Sequence, residues 1–250
     1  MSTVSIERYD HVARVTLNRP TKRNAMSSDV AAELTAAFLS LAGEDGLRAV
    51  VLSGEGPSFC GGADVTELGA LTPETAEGFI RGLHAAIASV MVCPVPVIAA
   101  IRGACIGAGL ELVAGCDMRL ASHDSRFSMP EVKIGVPSAI EAALLPRLMG
   151  RGKAARFVLT GETIDAETAL NWGLVEELVS GDDLMFRAGA LAAEVAEADP
   201  LAIRAQKRLI RAWDDMSIDQ AVEASVREFA DSYRTDAPAT RIAAILAGRK

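Results

Sequence analysis

The sequence is poor in the residues that mark metal, redox and nucleotide sites. Its three histidines, His11, His84 and His123, form no H-x-x-x-H pair, and its four cysteines lie far apart without a C-x-x-C. In a chain of this size and composition such cysteines favour reduced thiols over a disulfide framework. No G-x-S-x-G elbow or G-x-x-x-x-G-K-[ST] loop is present, and the glycines of "GACIGAG" do not follow G-x-G-x-x-G. The sequence therefore disfavours metal-dependent, serine-hydrolase and nicotinamide chemistry.

Long hydrophobic runs and an excess of positive charge are also missing. The most apolar stretch, "VMVCPVPVIAAI", is interrupted by Pro94 and Pro96 and is shorter than the roughly 20 residues of a membrane span. The polar start, "MSTVSIERYD", resembles neither a secretory nor a transit peptide. The net charge of −8 disfavours general nucleic-acid binding. We therefore expect a cytoplasmic protein without nucleic-acid or membrane partners.

The order of hydrophobic patterns predicts an α/β fold. "HVARVTLN", "LRAVVLSG" and "VPVIAAI" are typical of strands, and helical patterns over 28–43 and 73–92 separate them. The stretch after Gly103 is interpreted as a glycine-broken turn before a short apolar helix, "GLELVAG". Beyond Ser138 the pattern is nearly all helical, which predicts one core over residues 1–195 and a helical subdomain over 196–250.

An acidic residue, Glu111, stands inside that short apolar helix. A buried carboxylate is costly unless it is paired, hydrogen-bonded or used in chemistry. Glu131 in "SMPEVKIGVP" is a candidate partner, because a strand and a turn separate it from Glu111 and a chain reversal would bring them together. Two adjacent carboxyl groups have separated pKa values and suit acid–base catalysis. The alternative is that Glu111 is satisfied locally and Glu131 is a surface acid.

Two glycine-rich loops, "FCGGAD" and "CIGAGLE", lead into predicted helix starts near Ala63 and Ala108. Backbone N–H groups at helix N-termini are natural anion donors, and two of them aimed at one oxygen would form an oxyanion hole. The alternative for each loop is a turn that serves only helix packing.

These segments, together with "LNRPTKRNAMS", "RFSMPEVKIGVP" and "LTGETIDAETALNWGLVEELV", resemble the crotonase, or enoyl-CoA hydratase/isomerase, superfamily over residues 4–215. The resemblance implies a crotonase-type spiral of ββα units with a C-terminal helical trimerisation region, assembled as a homotrimer or a dimer of trimers. It implies an acyl-coenzyme A thioester as ligand. Coenzyme A is then part of the substrate, and no separate cofactor is expected.

The resemblance also implies roles for individual residues. The N–H groups of Ala63 and Ala108 would bind the thioester oxygen, and Glu111 and Glu131 match the two glutamates of hydratase-type members. Glu111 as carboxylate would take a proton from water, and protonated Glu131 would deliver one to C2. The residues implied to line the substrate and coenzyme A groove are Lys22, Arg23, Ala25, Ala63, Asp64, Val65, Gly107, Ala108 and Pro130.

One segment departs from the family pattern. Where hydratases have a glycine-rich stretch after the second glutamate, this chain reads "GVPSAIEAALLPRL". Ile140 and Glu141 replace small residues there, and we expect Glu141 to be a helix-surface acid. The alternatives to a hydratase are an enoyl-CoA isomerase or another enolate-forming member of the superfamily, and a catalytically silent CoA-binding or assembly subunit.

Overall fold

The computed structural model describes residues 2–248, and in this range the chain builds two β-sheets. The main sheet has the order β1-β2-β3-β4-β6-β9, and the small sheet has the order β5-β7-β8. The strands are β1 (Val4–Tyr9), β2 (Val12–Leu17), β3 (Ala49–Gly54), β4 (Val97–Ile101), β5 (Ala104–Ile106), β6 (Met118–Ser122), β7 (Arg126–Ser128), β8 (Thr163–Asp165) and β9 (Glu177–Val179).

Helices cover the sheets and form the C-terminal part of the described chain. They are α1 (Ser28–Ala42), α2 (Val65–Leu68), α3 (Pro73–Met91), α4 (Ala108–Ala114), α5 (Leu145–Met149), α6 (Arg151–Thr160), α7 (Ala166–Trp172), α8 (Leu184–Glu197), α9 (Pro200–Trp213), α10 (Ile218–Ser232) and α11 (Ala237–Ala247). Three short 3-10 helices cover Pro20–Lys22, Glu131–Ile134 and Ile140–Leu144.

The hydrophobic patterns correctly predicted the centre of the main sheet. Strands β3 and β4 are almost wholly buried and pair in parallel, as continuous apolar runs indicate. The α1 helix begins where its capping residue predicts, because the side chain of Ser27 accepts a hydrogen bond from the amide of Val30. The α11 helix was not distinguished in the sequence pattern.

The chain repeats a path from the main sheet to the small sheet and then to a helix. The clearest repeat is the succession of β4, β5 and α4. The next repeat begins with β6 followed by β7. The prediction of a simple turn after Gly103 was wrong, because Ala104–Ile106 forms β5 and pairs with β7. A strand of three residues between glycines is too short to show alternation, so only its tertiary partners reveal it.

The C-terminal helices are anchored to the core by a buried lysine. The ammonium of Lys207, on α9, donates to the carbonyl of Val95 at 2.9 Å and to Oδ2 of Asp117 at 2.6 Å. The preceding helix, α8, packs its buried Ala188 and Ala192 in a hydrophobic cluster with residues of β3, β4 and β6. In the described range, no helix combines the length and the apolarity that crossing a lipid bilayer demands.

Candidate active site

Two glycine loops meet at Gly62 and Gly107. Both glycines have positive φ, +101° and +51°, a region that side chains other than glycine rarely adopt. A Cβ atom on Gly107 would lie 3.9 Å from the Cα of Gly62. The two loops, which are far apart in the sequence, are therefore in direct backbone contact.

The residue after each glycine presents a free amide. Ala108 is the first residue of α4, and Ala63 immediately precedes Asp64, the N-cap of the short α2 helix. Met26 bridges the residues on both sides of Ala63, because its N–H donates to Gly62 and its carbonyl accepts from Asp64. In the described part of the chain, neither the amide of Ala63 nor that of Ala108 donates to another protein group. This arrangement can offer two main-chain donors to one ligand oxygen.

Glu111 lies one turn into α4 and is only 4% exposed. Its amide donates to the carbonyl of Gly107 at 2.9 Å, and its Oε1 accepts from the amide of Ala142 at 3.2 Å. Burial raises the pKa of Glu111 to about 8; the Ala142 hydrogen bond opposes the rise, and the charges of Glu131 and Glu141 add to it. At neutral pH the side chain is therefore mostly protonated in the free protein.

Glu131 is the first residue of the 3-10 helix that follows Pro130. Its Oε1 lies against Gly107, where even an added methyl group would collide with it. Its Oε2 accepts a hydrogen bond from the hydroxyl of Ser138 at 2.8 Å. Glu111 and Glu131 thus both contact Gly107, the first through its backbone amide and the second through its carboxyl, and the charge of Glu131 acts on Glu111.

Glu141 was expected on the surface of a helix, and this expectation was wrong. The residue is 6% exposed, and its Oε1 accepts a hydrogen bond from Nδ1 of His84 at 2.7 Å. It follows Ile140, which has a φ of +40° at the start of the 3-10 helix. Sequence reasoning also missed Ser138, Ala142 and His84; the only signal was the replacement of small residues by Ile140 and Glu141.

Part of the predicted coenzyme A groove is tied together by Arg19. Its Nη1 donates to the carbonyl of Ala25 at 2.9 Å and to Oδ2 of Asp64 at 3.1 Å. Asp64 also caps α2 by accepting from the amide of Thr66 at 3.0 Å. The arginine therefore joins the loop before α1 to the loop before α2.

The remaining predicted groove residues lie at the rim. Lys22 and Arg23 are exposed, and the carbonyl of Arg23 accepts from the amide of Gly61 at 2.8 Å. Val65 is 77% exposed at the start of α2. Pro130 is partly exposed and directly precedes Glu131. The structure places Arg23 and Val65 beside the glycine loop that contains Gly62.

The cysteines lie in the core near these loops. All four are free and buried. Burial raises the pKa of Cys60 to about 12 and that of Cys105 well above its ordinary value, so both thiols stay neutral. No group of three or more histidine, cysteine or acidic side chains in the described range is arranged to hold a metal ion.

Comparisons with known proteins agree with this architecture. Residues 7–241 match the family model described as enoyl-CoA hydratase/isomerase. A short-chain-enoyl-CoA hydratase of Clostridium acetobutylicum is 32% identical over 254 residues, which cover 100% of this chain and 97% of that protein. An (E)-benzylidenesuccinyl-CoA hydratase of Thauera aromatica is 34% identical over 88% of this chain and 86% of its own length.

A solved structure extends the agreement to three dimensions. The enoyl-CoA hydratase of Bacillus anthracis superposes with a TM-score of 0.96 at 28% identity, over 98% of this chain and 96% of that one. The predicted α/β crotonase-type fold is therefore confirmed. The chain belongs to the enoyl-CoA hydratase/isomerase family of the crotonase superfamily.

Proposed function

We propose that this protein is an enoyl-CoA hydratase, a lyase that adds water in syn fashion across the double bond of a 2-enoyl-CoA thioester. The observation that carries the proposal is the arrangement around Gly107. The carboxyl of Glu131 lies against this residue, Glu111 is one helical turn further along the chain and is affected by the charge of Glu131, and the loops of Gly62 and Gly107 carry two unpaired main-chain amides within the described residues. The names of the similar proteins support the same reaction class.

The two amides provide electrostatic stabilisation in the proposed reaction. The thioester oxygen accepts hydrogen bonds from the N–H groups of Ala63 and Ala108, and negative charge develops on this oxygen as the enolate forms. Such donors are fixed before the reaction and need no reorganisation. The loss of one of them typically costs roughly 3–4 kcal/mol of transition-state stabilisation.

The two glutamates move the protons. Glu111 as carboxylate takes a proton from water while the water oxygen bonds to C3, and protonated Glu131 delivers a proton to C2. The pKa of about 8 makes Glu111 a stronger base than an ordinary glutamate and brings it close to the working pH.

The nucleotide end of the substrate lies in the groove between the loops before α1 and α2 in this proposal. Arg19 holds Ala25 and Asp64 in place, and exposed Lys22 and Arg23 supply positive charge for the phosphates. Asp64 and Val65 border the adenine in this proposal, and Gly107 and Pro130 complete the lining of the groove. The reaction as written needs no metal and no redox cofactor.

We also propose that the C-terminal helices join copies of this chain into a homotrimer or a dimer of trimers. Large apolar side chains are exposed on α9, α10 and α11, which is typical of a subunit interface. Examples are Ile210, Trp213, Val222, Val226, Phe229 and Ile245. Two surface grooves of about 820 and 770 Å³ are lined by these helices. Sedimentation equilibrium tests this part: a monomer at micromolar concentration would contradict it.

The hydratase proposal is tested with a panel of short, medium and branched 2-enoyl-CoA thioesters. Hydration is followed as loss of the conjugated thioester absorbance, and mass spectrometry identifies a product heavier by one water. A 3-enoyl-CoA is assayed beside the panel, and its conversion to the 2-enoyl thioester without hydration would replace the proposal with an isomerase. Binding of acyl-CoA without turnover of any panel member would favour the silent binding subunit.

A further inference from the structure

The mechanism above leaves one buried acid without a role. The Glu141 side chain is 7% exposed, and its Oε2 is buried without a hydrogen-bond partner within the described residues. An unsatisfied buried carboxyl oxygen destabilises a folded protein. His84 satisfies only the other oxygen, through Nδ1, and its own side chain is 53% exposed.

Glu141 lies on the segment that contacts the proposed base. The 3-10 helix Ile140–Leu144 packs against both α3, which carries His84, and α4, which carries Glu111. The residue after Glu141 donates its amide to Oε1 of Glu111 at 3.2 Å. Glu141 is thus joined to Glu111 through one peptide unit and one hydrogen bond.

Backbone strain supports a functional reading of this segment. Ile140 is β-branched and has a φ of +40°, which is a genuine outlier for such a residue. Residues in sparsely populated regions cost about 1–3 kcal/mol and cluster at active sites. The strained residue directly precedes Glu141, and the amide of Ala142, the next residue, donates to Glu111.

The charged groups around Glu111 are few. Glu131 acts on it from the 3-10 helix after Pro130, and Glu141 acts on it from the 3-10 helix Ile140–Leu144. On the side of α4 that meets β5 and the Cys60 loop lie Cys105 and Cys60, whose buried thiols are neutral. Burial raises the pKa of Glu141, and the hydrogen bond and charge of His84 oppose this rise.

We propose that Glu141, held by its hydrogen bond from His84, is a positioning residue of this active site that controls the protonation of Glu111. It acts through its negative charge, while the amide of Ala142, the next residue in the chain, orients the Glu111 carboxyl. The inference rests on the proposed function only in taking Glu111 as the base. Glu141 makes Glu111 a stronger base, and its removal yields an enzyme whose base ionises at lower pH but accepts protons less readily.

The test is a direct titration of the Glu111 carboxyl, independent of turnover. Carboxyl ¹³C resonances of glutamate-labelled protein are followed against pH, and the Glu111 signal is identified by its loss in Glu111→Gln. In Glu141→Gln we expect the Glu111 midpoint to fall by about half a pH unit or more, because a like charge has been removed. The acidic limb of kcat/KM against pH should move by the same amount.

Two further variants separate positioning from packing. Glu77→Gln makes the same change at an exposed site on α3, and its Glu111 midpoint should equal that of wild type. His84→Ala should lower the midpoint less than Glu141→Gln does, and should add nothing in the Glu141→Gln background, because His84 acts only through Glu141. If Glu141→Gln fails to fold, the His84→Ala variant provides the test.

The outcomes are distinguishable. An unchanged Glu111 midpoint in folded Glu141→Gln overturns the inference, even if KM changes, and so does a His84→Ala effect that persists without Glu141. A shifted midpoint in a protein that hydrates no enoyl-CoA supports the inference about Glu141 and removes the hydratase proposal. Hydration of enoyl-CoA, together with an unchanged Glu111 midpoint in Glu141→Gln, supports the hydratase proposal and overturns the inference about Glu141.

Discussion

Replacement of Gly107 by alanine is the sharpest test of the arrangement around this residue. Gly107 has φ +51° and ψ −121°, a conformation that costs a residue with a side chain on the order of 1–3 kcal/mol. The added methyl group would also overlap Oε1 of Glu131. To restore ordinary contact, the carboxyl oxygen must retreat by about 1 Å.

A displacement of this size has a large expected effect on turnover. A reacting group misplaced by about 1 Å can lose roughly 100-fold in rate, so Gly107→Ala should lower kcat for enoyl-CoA hydration by about two orders of magnitude. The strain should also lower the melting temperature by a few to about 10 °C, since 1 kcal/mol corresponds to about 2–4 °C in a chain of this length. Steady-state hydration assays and thermal unfolding followed by circular dichroism measure both quantities.

Gly150→Ala is the matched control. Gly150 has φ +81° and ψ +151°, and a Cβ atom there meets nothing within 4 Å. The control should lose comparable stability because its backbone is also strained, but it should keep its kcat because Glu131 is not displaced. The reasoning is refuted if folded Gly107→Ala turns over at the wild-type rate, or if Gly150→Ala loses as much activity.

Four further predictions follow from the same site. Glu131→Gln should lower turnover by orders of magnitude while acyl-CoA binding measured by calorimetry persists, and near-normal turnover would remove its acid role. Ala108→Pro deletes one amide at a helix position that tolerates proline and should lower kcat roughly 100- to 1000-fold; an active, folded variant would contradict that donor. The pKa of Glu111 is raised from 4.5 to about 8, so wild type should lose stability relative to Glu111→Gln as pH rises from 4.5 to 8, by on the order of 3–5 kcal/mol in urea unfolding; a pH-independent difference would oppose the shift. Chelators should leave hydration unchanged, and inhibition that added metal reverses would contradict metal-free chemistry.

The sequence predicted most of the elements that position the site. Continuous apolar runs identified β3 and β4, and capping residues located the start of α1, because both signals depend on neighbours in the chain. The motif around Glu111 and Glu131 was also visible in the sequence as two acids near glycine-rich loops. Their meeting at Gly107 was not visible, because it depends on how β5 pairs with β7.

The small sheet shows the limit of periodicity. β5 spans only Ala104–Ile106 and pairs with β7, so each strand contributes too few residues for an alternating pattern. Its existence depends on partners about 20 residues away in the chain, and on the bridge between Cys60 and Cys105. Hydrogen bonds of this kind are decided by the assembled fold.

The sequence by itself determined the family, the central strands and the identities of the two catalytic candidates, because local patterns and motifs carry that information. Only the tertiary structure decided that Glu141 turns inwards to His84 and that the loops of Gly62 and Gly107 touch. The physical reason is that packing and long-range hydrogen bonds set both features. They determine the direction of a side chain after a positive-φ residue, and they determine which distant loops come into contact. Neither feature produces a periodic pattern in the amino-acid sequence.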